Sequence, residues 1–208
     1  MGLKSQIVGD RIFFTDGEHL FQPDVNFLVV VVGQACNFKC RDCANFCPHM
    51  PKELWRYNVE SIMKNIAIVL KAVTSVNRLQ LQGGEPFLYS DLDRLIAFIR
   101  ACDKIRVLVI ATNGSIVPSD MLMNVLQKND VKIRISNYGL YPQKLEALEK
   151  KCEQFGLDYY TYNFASKKAL WYDSGGINNF IIPPPCKNKR ICRADISDVQ
   201  IQKLFNAR

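Results

Sequence analysis

Five short runs rich in branched and aromatic apolar residues, at 26–32, 78–82, 105–111, 131–136 and 158–163, punctuate this chain, with segments of helical period between them. Near-continuous apolar runs read as strands covered on both faces, and their alternation with helices is how a parallel α/β sheet is written. Val59, Ile62, Met63, Ile66, Leu70 and Val73 make one helical stripe, and Leu92, Leu95, Ile96 and Ile99 make a second. Asn58 and Ser90 stand where N-caps are expected. A third helix is expected over 120–127 and a fourth over 143–155, the latter with Leu145, Leu148, Cys152 and Phe155 inward and Gly156 closing it. Four βα units and a fifth strand result. Right-handed crossovers curl such units into an open barrel or a doubly wound sheet, and either places ligands at the carboxyl ends of the strands.

Both ends of the chain depart from that pattern. Around Asp16-Gly17, short apolar stretches within 6–21 read as an N-terminal β-hairpin. After Phe164 the periodicity breaks into Ser174-Gly175-Gly176, then Pro183-Pro184-Pro185, then Cys186 and Cys192 among Lys187, Lys189, Arg190 and Arg193. The expected organisation is a hairpin extension over 1–24, a core over 25–164, and an irregular cysteine-containing tail over 165–208. With 48% hydrophobic and 23% charged residues among 208, the chain can bury a core of its own. Its net charge of +7 is scattered, so it points to a solvated surface or an anionic partner and gives no evident nucleic-acid patch. No run reaches the roughly 20 apolar residues of a membrane span, and the first ten residues lack the order of a signal peptide, so a cytoplasmic protein without a membrane partner is expected.

The cysteines are unevenly placed: of eight, four fall within 36–47. In a chain with a real core this crowding favours metal ligation in a reducing compartment over disulfides. Cys36, Cys40 and Cys43 form CxxxCxxC just past the first strand, and three thiolates so close can hold three irons of a [4Fe-4S] cube, leaving the fourth open for chemistry. The second strand opens into Gly83-Gly84-Glu85-Pro86, where glycines let backbone approach a ligand and Glu85 can accept from an ammonium group. Thr112-Asn113-Gly114 ends the third strand and Ser136-Asn137-Tyr138-Gly139 the fourth.

With these motifs at successive strand ends, residues 25–163 resemble the radical S-adenosylmethionine (SAM) superfamily. The resemblance implies a partial, open parallel β/α barrel. It implies that Cys36, Cys40 and Cys43 ligate a [4Fe-4S] cluster whose open iron chelates SAM. Gly83, Gly84, Glu85 and Pro86 would meet the methionyl end of SAM, and Thr112, Asn113, Ser136 and Asn137 its carboxylate and ribose. The implied activity is that of an enzyme: reductive cleavage of SAM to a 5′-deoxyadenosyl radical, which abstracts hydrogen from a peptide or small-molecule substrate. The implied electron donor is a flavodoxin or ferredoxin. Asp42 occupies the place where the family usually has an aromatic residue before the third cysteine. Cys186 and Cys192 resemble the start of the cysteine-rich auxiliary-cluster extension of peptide-modifying members, which would make this a shortened one.

Alternatives stay open at this level. A glycyl-radical-enzyme activase is similarly short, and a non-enzymatic iron–sulfur electron carrier or an inactive fragment would also carry the cysteines. Cys47 completes a spacing like the end of a ferredoxin signature, and zinc accepts four cysteines, although structural zinc sites usually split them into two pairs. Cys102 and Cys152 lie on helical stripes and read as core residues. His19 and His49 are isolated, and Tyr57, Trp171 and Tyr172 are candidates for a substrate mouth.

Overall fold

A computed structural model describes residues 4–40, 43–139 and 142–164. Three antiparallel strands, β1 (Lys4–Val8), β2 (Arg11–Thr15) and β3 (Leu20–Phe21), come first. The expected hairpin at Asp16-Gly17 joins β2 to β3, its turn held by Asp16 Oδ1, which accepts from the backbone N–H groups of Glu18 and His19 at 2.9 Å each. A second, longer hairpin pairs β1 with β2 through Gly9-Asp10, where Gly9 takes φ +63°. The single hairpin read from the sequence is therefore a three-stranded meander.

The main sheet has five parallel strands in the order of the chain: β4 (Asp24–Val31), β5 (Ser75–Gln82), β6 (Ile105–Thr112), β7 (Val131–Asn137) and β8 (Tyr159–Asn163). Because the order never reverses, there is no switch point, and the open-barrel alternative holds over the doubly wound one. Four helices connect the strands: α1 (Val59–Lys71), α2 (Leu92–Arg100), α3 (Asp120–Lys128) and α4 (Leu145–Gln154). Alternation along the strands sends Leu79, Leu81, Leu108, Ile110, Ile133 and Ile135 to one face, where each is 0% exposed and packs in a single core with the helices' apolar stripes. Burying each such side chain contributes about 2 kcal/mol, so this layer dominates the stability of the sheet.

Asn58 caps α1 as expected, accepting the Ser61 N–H at 3.0 Å. Ser90 does not cap α2: the helix starts one residue later, after Asp91, and the Ser90 hydroxyl donates instead to the Asp91 carboxylate. Ser119 supplies the cap for α3. The fourth helix begins at Leu145, two residues later than its apolar period suggested, because Gln143 is drawn out of helical conformation by the site described next. Its inward Leu148 and Cys152 are both 0% exposed, and Gly156 ends it with φ +62°. The described helices include none long and apolar enough to cross a membrane. The expected tail over 165–208, with Trp171, Tyr172, Cys186 and Cys192, lies outside the described residues, as does Asp42.

Candidate functional site

Two glycine-containing loops press against each other at the carboxyl ends of β4 and β5. Beyond β4 the chain continues as an extra rung, with Val32 N–H donating to Gln82 O at 2.9 Å and Tyr57 N–H to Val32 O at 3.2 Å. Gln34 and Ala35 then donate to Leu54 O and Trp55 O, both at 3.0 Å. From the other side Gly84 N–H donates to Gly33 O at 3.0 Å and Glu85 N–H to Ala35 O at 2.8 Å. No side chain fits between these backbones: a Cβ on Gly84 would lie 2.0 Å from Ala35 O, and one on Gly83 2.2 Å from Gly33 O. Gly33 and Gly83 also take φ of +151° and +154°, which favours glycine. The glycines of residues 83–86 thus set the height of the cysteine loop above the sheet.

Glu85 is enclosed by the protein. Its side chain is 2% exposed and its oxygens are taken by the protein: Oε1 accepts from Thr112 Oγ1 at 2.8 Å and from Phe87 N–H at 3.1 Å, and Oε2 accepts from Asn113 N–H at 2.7 Å. A carboxylate so enclosed pins the loop after β5 to the loop after β6. Burial pushes its pKa up to about 7, against the pull of those three donors. Pro86 opens a short 3-10 turn through Leu88 and is itself buried.

The loop after β6 carries the link to the cysteines. Asn113 Nδ2 donates to Cys36 Sγ at 3.7 Å and to Asn37 Oδ1 at 3.1 Å, while Asn37 Nδ2 donates to Ser115 Oγ at 2.8 Å. Asn113 Oδ1 accepts from Ser115 N–H at 2.9 Å, which fixes which end of the amide faces Cys36. Ser136 is 5% exposed, and Asn137, at the end of β7, donates to Asn163 Oδ1 at 2.8 Å. Gln143 joins the two loops: its Nε2 donates to Asn113 O at 2.6 Å and Ser136 O at 2.7 Å, and its Oε1 accepts Tyr138 N–H at 3.0 Å. The sequence gives no sign of this residue, because its partners converge only when β6 and β7 pair.

Cys36, Cys40 and Cys43 are half-buried, and Cys47 is buried at 6% exposure. Burial raises the Cys36 thiol, with the Phe38 N–H at 3.4 Å drawing it back. Burial raises Cys40 as well, with the neighbouring Cys43 adding to it. Cys43 moves the other way, because the Cys47 side chain and the amides of Cys47, Asn45 and Phe46 favour its thiolate; Cys47 is raised by that same neighbour. The Cys47 thiol also lies 3.2 Å from Gln34 Oε1, and Asn45 Nδ2 donates to Gly83 O at 2.6 Å, so both 34 and 45 are fixed in the loop. Among the described residues no three His, Cys, Asp or Glu side chains already converge as a metal site. The donor set nonetheless suits iron–sulfur ligation: soft thiols on one loop, with N–H donors turned toward Cys36 and Cys43. Tyr57, a candidate for a substrate mouth, packs against the core instead, and its carbonyl accepts from Tyr89 Oη at 2.8 Å.

Residues 30–153, more than half of the chain, match the family described as the radical SAM superfamily. A GTP 3′,8-cyclase of Stenotrophomonas maltophilia is 32% identical over 104 residues, covering 50% of this chain and 30% of the relative. A GTP 3′,8-cyclase of Campylobacter jejuni is 29% identical over 134 residues, covering 63% of this chain and 40% of the relative. The chain thus spans well under half the length of these curated relatives. In fold it is similar to the crystal structure of BtrN in complex with AdoMet and 2-DOIA, with TM-score 0.54 and 15% identity over 71% of this chain and 60% of that one.

Proposed function

The chain belongs to the radical SAM superfamily, and from that premise we propose that it is a radical SAM enzyme in which Cys36, Cys40 and Cys43 hold a [4Fe-4S] cluster. When bound, the cluster and SAM would supply one chemistry: one-electron reduction at the sulfonium and, through it, hydrogen abstraction from substrate. Everything else falls to the protein. Three thiolates on one loop leave one coordination position open. The backbone of Gly83 and Gly84 sets the loop's height, and Glu85 locks the loops after β5 and β6 together so that SAM meets a preformed surface. Thr112, Asn113, Ser136 and Asn137 line that surface at consecutive strand ends, with Gln143 holding the last two loops in register. The observation that carries this reading is the direct bond from Asn113 Nδ2 to Cys36 Sγ, since it joins the motif read as the SAM side to the motif read as the cluster side.

The substrate is a peptide or a small molecule. The names of the curated relatives favour the small-molecule arm, with a purine nucleotide as one member of it. A flavodoxin or ferredoxin serves as electron donor, and the reducing chemistry suits the cytoplasm. The test is anaerobic reconstitution with iron and sulfide, followed by dithionite and SAM, counting 5′-deoxyadenosine by mass spectrometry against a Cys40→Ala control. Production above that control supports the enzyme. A loaded cluster that makes none, and whose spectrum SAM does not change, reassigns the chain to electron transfer.

A further inference from the structure

The sheet face turned away from the helices is lined differently from the buried one. By register Val29, Gln80, Val109 and Lys132 form one row, and Ala111, Arg134 and Tyr160 the next toward the carboxyl ends. Phe27 and Val29 on β4, and Tyr160 and Tyr162 on β8, expose 36–51% of their surface at the two margins of that face, while Gln80 and Val109 between them are buried. The charges accompanying them are cationic. Arg78 is exposed near the start of β5, and Lys132 is matched by Asp158 at 2.7 Å.

Arg134 stands apart from both. Its guanidinium lies 5.7 Å from the ring centroid of Tyr162 and 5.9 Å from that of Phe164, and among the described residues it forms no ion pair. Those rings form a wall: Tyr162 and Phe164 are 4.6 Å apart, and Tyr138 stacks on Phe164 at 5.2 Å. Tyr138, the first residue past β7, carries the wall to the carboxyl end of the sheet. Ring surfaces rather than acceptors are its recorded neighbours, and among the described residues no hydrogen bond engages its N–H donors. A half-buried Arg beside aromatic rings, its N–H donors unspent among the described residues, is suited to receive an oxyanion through paired hydrogen bonds.

We propose that Arg134 is the anchor for the substrate's oxyanion, a carboxylate or phosphate, with Tyr162 and Phe164 packing against an adjoining flat group. This rests on the enzyme reading above and narrows its substrate to an anionic small molecule. Arg134 sits three residues before the end of β7, on the open face of the sheet rather than in the end loops assigned to SAM. A ligand held there lies over the sheet toward the carboxyl ends of its strands.

The test uses the full chain, loaded with cluster and SAM, titrated by ligand-observed NMR with phenyl phosphate, benzoate and the neutral benzyl alcohol. Binding of either anion in preference to the alcohol, weakened at least tenfold by Arg134→Gln and less by Arg134→Lys, supports the proposal, and the preferred anion assigns the oxyanion. No preference for anions in the unaltered protein overturns it, as does equal binding by Arg134→Gln. A loss of SAM affinity in Arg134→Gln that parallels the loss of anion binding also overturns it, placing the residue in the cofactor site. Cluster content, read by absorbance, and SAM affinity are measured separately, and the anion titration is repeated on cluster-free protein. Failure of the enzyme reading is thereby distinguished from failure of the anchor, because strands and rings hold Arg134.

Discussion

Glu85 and Asn113 meet across neighbouring strand ends, the Asn113 N–H donating to Glu85 Oε2 at 2.7 Å beneath a loop that closes both off from water. With Thr112 Oγ1 and Phe87 N–H also spent on this carboxylate, Glu85→Ala leaves three buried donors without acceptors. At pH 5 it should lower stability by about 3 kcal/mol, and Glu85→Gln, which keeps one carbonyl oxygen, by about half that. Urea unfolding of the two variants checks this; equal losses would mean that the hydrogen bonds are not what the carboxylate contributes.

The same group sets a pH dependence. Its pKa is raised from 4.5 to about 7, so between those values the folded protein holds a proton that the unfolded chain has released. Stability should therefore rise as pH falls from about 7 to about 4.5, by about 3 kcal/mol, and this component should be flat on either side. Glu85→Gln removes it while leaving every other titratable group in place. A difference between the two proteins' stability curves with no slope in that window would refute the assignment.

Gly84→Ala places a methyl group on the Ala35 carbonyl, at 2.0 Å from its oxygen and 2.4 Å from its carbon. Backbone on both sides leaves no flexible end to move, so the bond from Glu85 N–H to Ala35 O must open. The expected cost is about 3 kcal/mol, with faster hydrogen exchange at Gly84 and Glu85. Gly9→Ala provides the contrast: nothing lies within 4 Å of its Cβ, and only its φ of +63° is penalised, by about 1 kcal/mol.

Replacing Cys36, Cys40 or Cys43 by alanine should each abolish the iron–sulfur absorption after reconstitution. Cys152→Ala should keep it, losing about 1 to 2 kcal/mol to a small cavity, since that side chain is 0% exposed in the core. Its thiol, raised to about 11 by burial, should also resist alkylation at pH 8 in the native protein while Cys43, lowered to about 6, reacts. Iron content and mass spectrometry of alkylated peptides measure both.

Periodicity carried most of the fold into the sequence. The five strand runs and four helical stripes are visible because the sheet packs helices against one face, and that geometry imposes a local repeat on Leu79, Leu81, Leu108 and Ile110 and their neighbours. The motifs at strand ends were equally legible as positions. Their partners were not. Whether Glu85 faces a ligand or Thr112 is decided by which loops stand side by side, and Gln143 reads as a helix residue until Asn113 O and Ser136 O arrive beside it. The extra strand at Lys4–Val8 lacks a legible pattern for a different reason: it is exposed throughout, so no buried face imposes a repeat on it.

A sheet whose strands lie side by side in the order they are synthesised bears on how the protein is born. Each βα unit, as it leaves the ribosome, finds its neighbour already exposed and waiting, so closure spans only short stretches of chain. The loops that Glu85 and Gln143 fasten together can therefore be joined in sequence, β5 to β6 and then β6 to β7, with the cysteine loop set in place before the last strand emerges.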